Sequence, residues 1–263
     1  PGLQKQRMKR TSLKDDAKAL GNVMKAAGGG LAGLKAGAKL VAAGRSFLDD
    51  VQFSLHLSFD GRDDDEVAAK VAVARRALAG RGREVENSVP KVMRANPFGE
   101  VNSMLGPNGE RWVPVHGTVP LSKAASLYLG CEAVFARHRE ECERLDIDHG
   151  YLSCTVADRG ILLEPVFYWP DARQAFHERV LDPAYLAKLP TYPANPTARA
   201  AVARMRAEIA QVLVDHGAVS FQLGKFYLYQ QGLDRSAASL LGAVKRLLDP
   251  RGLMNPGSLG LGG

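Results

Sequence analysis

Two runs of strand-forming residues joined by a short turn constrain the fold of this chain more than any other feature. The runs Tyr151 to Val156 and Ile161 to Trp169 are rich in β-branched and aromatic side chains, and the turn between them reads Ala, Asp, Arg, Gly. Strands joined by so short a turn pair antiparallel. The sequence therefore predicts an antiparallel hairpin within a larger sheet.

Further strands and helices surround this hairpin. Residues 51–59 alternate apolar and polar side chains, which is typical of a strand with one buried face, and an alanine-rich helix follows to residue 79. A second strand at 112–119 leads into a helix that runs to about residue 143. Two such units predict an α+β fold, a mainly antiparallel sheet of ferredoxin-like duplicated units with helices on one face. We also expect helices at 171–189, 197–216 and 235–248, and a glycine-interrupted strand or loop at 219–229.

Positive charge is concentrated at the start of the chain. The formal net charge is +7, and residues 1–50 carry ten Lys or Arg against four Asp, so the remainder is close to neutral. This distribution argues against nucleic-acid binding by the chain as a whole, and no RNA-binding or zinc motif is present. We interpret residues 1–49 as a basic, helical lead-in or linker, with a membrane anchor as the alternative, and residues 50–263 as one domain.

Cysteine usage and hydropathy indicate a cytoplasmic protein. The three cysteines cannot all be paired and lack CxxC spacing, so neither a disulfide framework nor a zinc site is expected. No stretch reaches the roughly 20 apolar residues that span a bilayer. No compact apolar segment typical of a signal peptide is present either.

The C-terminal residues carry the most specific motif. The stretch LLDPRGLMNPGSLG matches a pattern close to DPxGxxNPG at Asp249, Pro250, Gly252, Asn255, Pro256 and Gly257. This pattern resembles the closing signature of the vanillyl-alcohol oxidase and p-cresol methylhydroxylase superfamily. The preceding stretch GAVSFQLGKFYLY is similar to that superfamily's active-site strand, and ERWVPVHGTVPLS and GILLEPVFYWPD are similar to strands of its cap domain.

The resemblance spans roughly residues 50–263 and implies the C-terminal cap of a FAD-linked oxidoreductase. It implies that FAD is held mainly by an N-terminal FAD-binding domain or subunit absent from this chain, so the isolated chain is expected to be inactive. An alcohol or 2-hydroxy acid, either phenolic or like D-lactate and glycolate, would pass a hydride to the flavin. A homodimer is compatible with this interpretation.

Two places depart from the superfamily's hydroxyacid-dehydrogenase branch. That branch carries a metal-binding HxGDGNxH strand and an EHG motif, where this chain reads DHGYLSCTV and SFQLGKF. His149 is the one residue of these motifs that this chain retains. We therefore expect no metal site.

Candidate site residues are polar side chains of the matched segments. On a strand, Lys225, Tyr227 and Tyr229 would share a face. The resemblance suggests Lys225, Tyr227 and His149 as catalytic residues, Gln222 and Asn255 as cofactor-binding residues, and His116, Glu164 and Tyr229 as substrate-binding residues. We also consider that Asp148 tunes His149.

Each of these residues also has a structural interpretation. The lysine could be solvated, the tyrosine rings packed, the histidines satisfied within the fold, and Glu164 paired within the sheet. At the level of the whole chain, the alternative function is a flavin-free module of the same fold that binds small anions.

Overall fold

A computed structural model describes residues 53–85, 94, 101–222 and 224–262. The chain divides into two units, residues 1–103 and residues 104–263. The predicted boundary between residues 49 and 50 lies outside the described residues. No helix in the described ranges is both long enough and apolar enough to cross a membrane.

The first unit contains helix α1 (Asp64–Leu78), which confirms the predicted helix. Asp63 caps it, because its carboxylate accepts the Glu66 amide proton at 2.8 Å. Acidic residues occupy the first turn, and Arg75 and Arg76 occupy the last turn. Both arrangements stabilise the helix, because each charge interacts favourably with the nearby end of the helix dipole.

The strand predicted over residues 51–59 is wrong over its described part. Residues 53–60 form neither helix nor strand. Phe53, Leu55 and Leu57 are 73%, 67% and 44% exposed, so the apolar face that alternation creates is not buried. Alternation alone does not make a strand, because the backbone also needs a hydrogen-bonded neighbour. Residues 51 and 52 lie outside the described residues.

The second unit is built on a four-stranded antiparallel sheet, which confirms the α+β class. Strand β4 (Gly160–Trp169) is central, and β3 (Asp148–Val156) pairs along one side of it as the predicted hairpin. Strands β1 (Arg111–Pro114) and β2 (Gly117–Pro120) follow one another along the other side.

Strands β1 and β2 pair with β4 in a single register, as one strand would, but a proline in β4 breaks the pairing between them. Pro114 pairs with Val166 and Gly117 with Leu163, so the register is the same on both sides of the break. The Val115 amide donates to the Pro165 carbonyl at 3.0 Å, but proline has no amide proton to return. The strand predicted over residues 112–119 is therefore present as β1 and β2, with a break at Val115 and His116.

The helices of the second unit follow the predicted order with shorter segments. The predicted helix to residue 143 is α2 (Ala124–Arg137) and α3 (Arg139–Leu145), separated at His138. The predicted helix 171–189 is two short helices, α4 (Ala175–Val180) and α5 (Pro183–Leu186). The last two predicted helices are confirmed as α6 (Pro196–Asp215) and α7 (Arg235–Leu248).

The main core lies between one face of the sheet and helices α2 and α6. Its sheet side includes Val115, Val119 and Phe167, which are at most 1% exposed. Its helical side includes Leu127 and Val134 of α2 and Met205 and Ile209 of α6, all fully buried. Each such side chain stabilises the fold by about 1.5–3 kcal/mol. Residues of the opposite parity, among them His116 and Glu164, point to the other face.

The cysteines should report this arrangement by their reactivity. Cys154 on β3 is exposed, whereas Cys131 of α2 is buried. Burial raises the pKa of the Cys131 thiol to about 12, with a smaller contribution from nearby Glu132. The thiolate is the form that reacts with a maleimide. We therefore expect exposed Cys154 to be labelled at once. Buried Cys131 should be labelled about three orders of magnitude more slowly than an unburied thiol, because its raised pKa leaves so little thiolate. Mass spectrometry of timed samples measures this, and equally fast labelling of Cys131 would contradict the packing of α2.

Candidate functional site

The segment after α6 runs along the outer edge of β1 and β2. Thr118 and Val219 exchange both backbone hydrogen bonds, at 2.8 and 2.9 Å. Beyond this bridge the segment 220–229 forms no strand in its described part. The loop alternative for residues 219–229 is therefore the correct one. At this sheet edge, polar side chains of the loop form hydrogen bonds with backbone groups that a neighbouring strand would otherwise pair.

His116 lies at the break between β1 and β2 and is the centre of a polar cluster. Its side chain is fully buried. The Tyr227 hydroxyl oxygen accepts the His116 amide proton at 3.2 Å and lies 2.7 Å from the imidazole Nδ1. A carboxylate oxygen of Glu164 lies 3.9 Å from the same Nδ1. The Phe221 ring stacks on the imidazole with centroids 4.2 Å apart.

The tautomer of His116 sets the direction of its bond with Tyr227. In the tautomer with the proton on Nε2, the Tyr227 hydroxyl donates to Nδ1 while its oxygen accepts the His116 amide proton. Nε2 is buried and has no hydrogen-bond partner among the described residues. Burial lowers the pKa of His116, which keeps the ring neutral at pH 7.

Burial also raises the pKa of both side chains next to His116. It raises the pKa of Tyr227, against smaller opposing effects of the His116 amide and of Arg206, so the phenol stays protonated. It raises the pKa of Glu164 as well. The cluster is thus a protonated phenol hydrogen-bonded to a neutral imidazole, with a nearby carboxyl group that can respond to charge on that imidazole.

An open groove of 250 Å³ lies beside this cluster, and we call it the tyrosine groove. Tyr227, Lys225 and Gln222 line it together with Arg206 of α6. The Arg206 guanidinium lies 3.9 Å from the centroid of the Phe226 ring and donates to the Pro114 carbonyl at 3.0 Å. The groove therefore combines a phenol, an ammonium and a guanidinium group, which together suit an anionic or phenolic ligand.

The C-terminal motif packs against the loop that carries Lys225. Asn255, Pro256, Gly257 and Ser258 form a β-turn, closed by the Ser258 amide donating to the Asn255 carbonyl at 3.1 Å. Gly257 at φ 80° and ψ −6° has the geometry of a type II turn, which requires positive φ after proline. A Cβ atom at Gly257 would lie 3.9 Å from the Lys225 side chain. The Leu259 amide then donates to the Gly224 carbonyl at 2.9 Å.

Asp249 and Gly252 explain the first half of the same motif. The Asp249 carboxylate accepts the Leu253 and Met254 amides at 2.9 and 2.8 Å and pairs with Lys245, so it fixes the chain after α7. Gly252 has φ 63°, a left-handed conformation that glycine adopts without steric cost. Asn255, which precedes Pro256, has φ 45°. Asparagine tolerates this left-handed conformation better than most residues.

Five of the eight predicted site residues come together here. His116, Glu164 and Tyr227 form the cluster, and Gln222 and Lys225 line the adjoining groove. Tyr229 starts a short 3-10 helix (Tyr229–Gly232), so the argument that it shares a strand face with Tyr227 does not apply. Asn255 is exposed in the turn that contacts the Lys225 loop.

His149 lies on the other face of the sheet. It pairs with Phe167, three residues from Glu164 along β4, so its side chain points toward α2 and not toward His116. Its ring stacks on Phe135 at 3.8 Å, and its Nε2 is 3.3 Å from a Glu132 carboxylate oxygen. The carboxylate beside its ring is thus that of Glu132 and not of Asp148.

Sequence reasoning missed Arg206 and Phe221. Arg206 lies four residues after Val202 and three before Ile209, both buried, so helical spacing places it at the edge of the buried stripe of α6. An arginine at such a position signals a partly buried guanidinium. For Phe221, which is 61% exposed although it covers His116, we find no sequence signal.

No family model, curated protein or solved structure matches this chain.

Proposed function

We propose that this chain is the C-terminal substrate-binding part of a FAD-dependent oxidoreductase that oxidises an alcohol or a 2-hydroxy acid. The observation that carries the proposal is the hydrogen bond between Tyr227 and the buried His116, beside a groove lined by Lys225 and Gln222. Flavin, when bound, supplies the acceptor for the substrate's hydride. The residues of this chain then have to orient the substrate and accept its hydroxyl proton.

Tyr227 and His116 form a path for that proton. A substrate hydroxyl bonded to the Tyr227 oxygen releases its proton to that oxygen as the tyrosine passes its own proton to Nδ1 of His116. The imidazole can accept it because burial keeps the ring neutral. The Glu164 carboxylate, 3.9 Å from Nδ1, stabilises the resulting imidazolium.

The cations of the tyrosine groove set the class of substrate. Lys225 and Arg206 line the same groove as Tyr227, so a carboxylate or phenolate bound to them would place the neighbouring carbinol near the tyrosine. Tyr229, in the 3-10 helix that follows, is proposed to complete the substrate pocket. Both 2-hydroxy acids and phenolic alcohols fit this arrangement.

The surroundings of the groove suit the edge of an isoalloxazine ring, which is flat, apolar on its faces and polar at its rim. Gln222 and Asn255 are exposed polar side chains that can bond such a rim, and Phe221 is an exposed flat ring. These residues fit the flavin. We retain Gln222 and Asn255 as its proposed contacts, and we retain the proposal that the sheet consists of ferredoxin-like duplicated units.

Helix α7 supports a partner that holds the flavin. Leu240, Val244 and Leu247, spaced along one side of the helix, are 66%, 43% and 79% exposed, and Leu248 and Leu253 extend the apolar surface. So wide an apolar stripe on a surface helix indicates an interaction face. We propose that the FAD-binding domain or subunit covers it, in a cytoplasmic protein.

The test is to produce this chain together with its flavin-binding part and to follow the visible flavin absorbance without oxygen. We expect a yellow complex whose colour bleaches on adding D-lactate, glycolate or a phenolic alcohol. A flavin-containing complex that no alcohol or hydroxy acid bleaches would contradict the proposal.

The isolated chain should bind FAD weakly. The tyrosine groove offers contacts for the isoalloxazine ring only, and much of the affinity of a cofactor comes from enclosing most of its surface. Calorimetric titration of FAD into the chain measures this affinity. A submicromolar dissociation constant would mean that the chain holds the cofactor itself.

Arg206 favours a second candidate function, a flavin-free module that binds small anions. Its guanidinium has no carboxylate partner among the described residues, and an anionic ligand would supply one. A chain that binds hydroxy acids but never acquires flavin colour with any co-produced partner would support this candidate.

A further inference from the structure

A second groove lies on the other side of Arg206, between β1, α6 and the start of α4. Its volume is 320 Å³, and we call it the tryptophan groove. Arg111, Arg199 and Arg206 line it together with Trp112, Trp169 and Phe176. Arg206 is shared with the tyrosine groove, whereas Lys225 and Tyr227 line only the latter.

Positive charge exceeds negative charge around the tryptophan groove. The neighbouring carboxylate is that of buried Asp171, which Arg199 binds through Nε at 2.6 Å and Nη2 at 3.1 Å. Arg111 lies 3.6 Å from the same carboxylate, so one negative charge faces two guanidinium groups. Arg206 adds a third guanidinium, which among the described residues bonds only a carbonyl and an aromatic ring.

Two buried guanidinium donors around this groove have no acceptor among the residues that the structure describes. The Nε atoms of Arg111 and Arg206 are buried without a hydrogen-bond partner in the described part of the chain. His177, which is 1% exposed, adds a neutral donor to the lining. Its Nδ1 accepts the Gln174 amide at 2.9 Å, so the ring proton is on Nε2. Buried donors without acceptors are costly, and a bound oxyanion would satisfy them.

We propose that the tryptophan groove binds a small aromatic carboxylate. The guanidinium groups take the planar carboxylate, which matches their fork geometry, and the phenyl side chain of Phe176 packs on the ring of the ligand. Phe176 is 40% exposed at the mouth, where it can fold over a bound ring. This site shares Arg206 with the proposed substrate groove, but none of its side chains belongs to the Tyr227 and His116 cluster that carries the proposed proton transfer.

Tryptophan fluorescence is a direct probe of ligand binding in this groove. The chain has two tryptophans, and Trp112 and Trp169 both line it. We expect benzoate to change the fluorescence of the full chain saturably, and benzamide, which has the same shape without the charge, to bind at least tenfold more weakly. Inorganic phosphate tests the oxyanion without the ring and should also bind more weakly than benzoate.

Three variants locate the ligand. Arg111→Lys keeps a cation beside Asp171 but loses the fork, and we expect about tenfold weaker benzoate binding. Phe176→Ala changes an exposed side chain with little risk to folding and should also weaken binding. Lys225→Met, confined to the tyrosine groove, should leave it unchanged.

Equal binding of benzamide and benzoate would overturn the proposal, as would phosphate binding as tight as benzoate. Loss of binding in Lys225→Met with full binding in the folded Phe176→Ala variant would place the ligand in the tyrosine groove and overturn it too. None of these results depends on flavin reduction, so this proposal and the proposed function can fail separately.

Discussion

Replacing Asp171 by alanine is expected to lower the free energy of unfolding by about 3–5 kcal/mol. The carboxylate is fully buried and accepts the Ala172 and Asn195 amides, the Trp169 indole N–H and both bonds from Arg199. Alanine would leave these donors without an acceptor and Arg111 without its nearby carboxylate. Urea denaturation followed by tryptophan fluorescence measures the change, because both tryptophans lie in residues 104–263.

Asp158→Ala is the matched control. This side chain is 86% exposed on the hairpin turn, so its replacement should change the free energy of unfolding by no more than about 0.5 kcal/mol. Equal effects of the two variants would contradict the role assigned to the Asp171 network.

The contribution of Asp171 should also depend on pH. Burial alone would raise its pKa, but the bonds from Arg199, Asn195, Trp169 and Ala172 outweigh it and lower the pKa below 3.8. A carboxylate with a lowered folded pKa stabilises the fold above its unfolded pKa and loses this effect as the pH falls through the folded one. The difference between wild type and Asp171→Ala should therefore stay constant from neutral pH to about pH 4 and shrink below it.

The sequence predicted those elements of the fold whose signals are local. The hairpin of β3 and β4 and the helices α1, α6 and α7 depend on turn residues, caps and periodicity, which are visible in short windows. The strand predicted over residues 51–59, which does not form in its described part, depended on a neighbour that the sequence does not specify. The break at His116 depended on Pro165, which lies on a different strand and becomes relevant only once the register is known.

The candidate site was predictable in part for the same reason. Motif positions indicated Tyr227, Lys225 and Gln222, and the strand pattern indicated His116 and Glu164. Nothing local indicated that Tyr227 bonds His116 across 111 residues of sequence. His149 was proposed as the retained residue of a superfamily motif, with Asp148 as its partner, whereas the sheet register turns it toward Glu132 on α2.

Replacing Tyr227 by phenylalanine is expected to slow flavin reduction by about 100-fold or more. The variant lacks the hydroxyl that takes the substrate proton in the proposed mechanism, and it removes the phenol that bonds the His116 amide and Nδ1. In the wild type, the rate should fall as the pH drops below the lowered pKa of His116, since the protonated ring accepts nothing. In the variant this pH dependence should be lost, which a merely structural role would not predict.

Tyr128→Phe provides the control for loss of a hydroxyl group. Tyr128 lies on α2, where its ring packs 4.9 Å from that of Tyr151, and it does not line the tyrosine groove. The same chemical change there should alter the rate of flavin reduction less than about twofold, because the hydroxyl lies outside the proposed proton path.

The most direct test of the account is the anaerobic rate of flavin bleaching by a 2-hydroxy acid or phenolic alcohol in the assembled protein, compared between wild type and Tyr227→Phe. The account predicts bleaching in the wild type, and a rate lower by about 100-fold in a variant that still binds flavin and remains folded. Equal rates in the two proteins, or a wild-type flavin that none of these substrates bleaches, would contradict it.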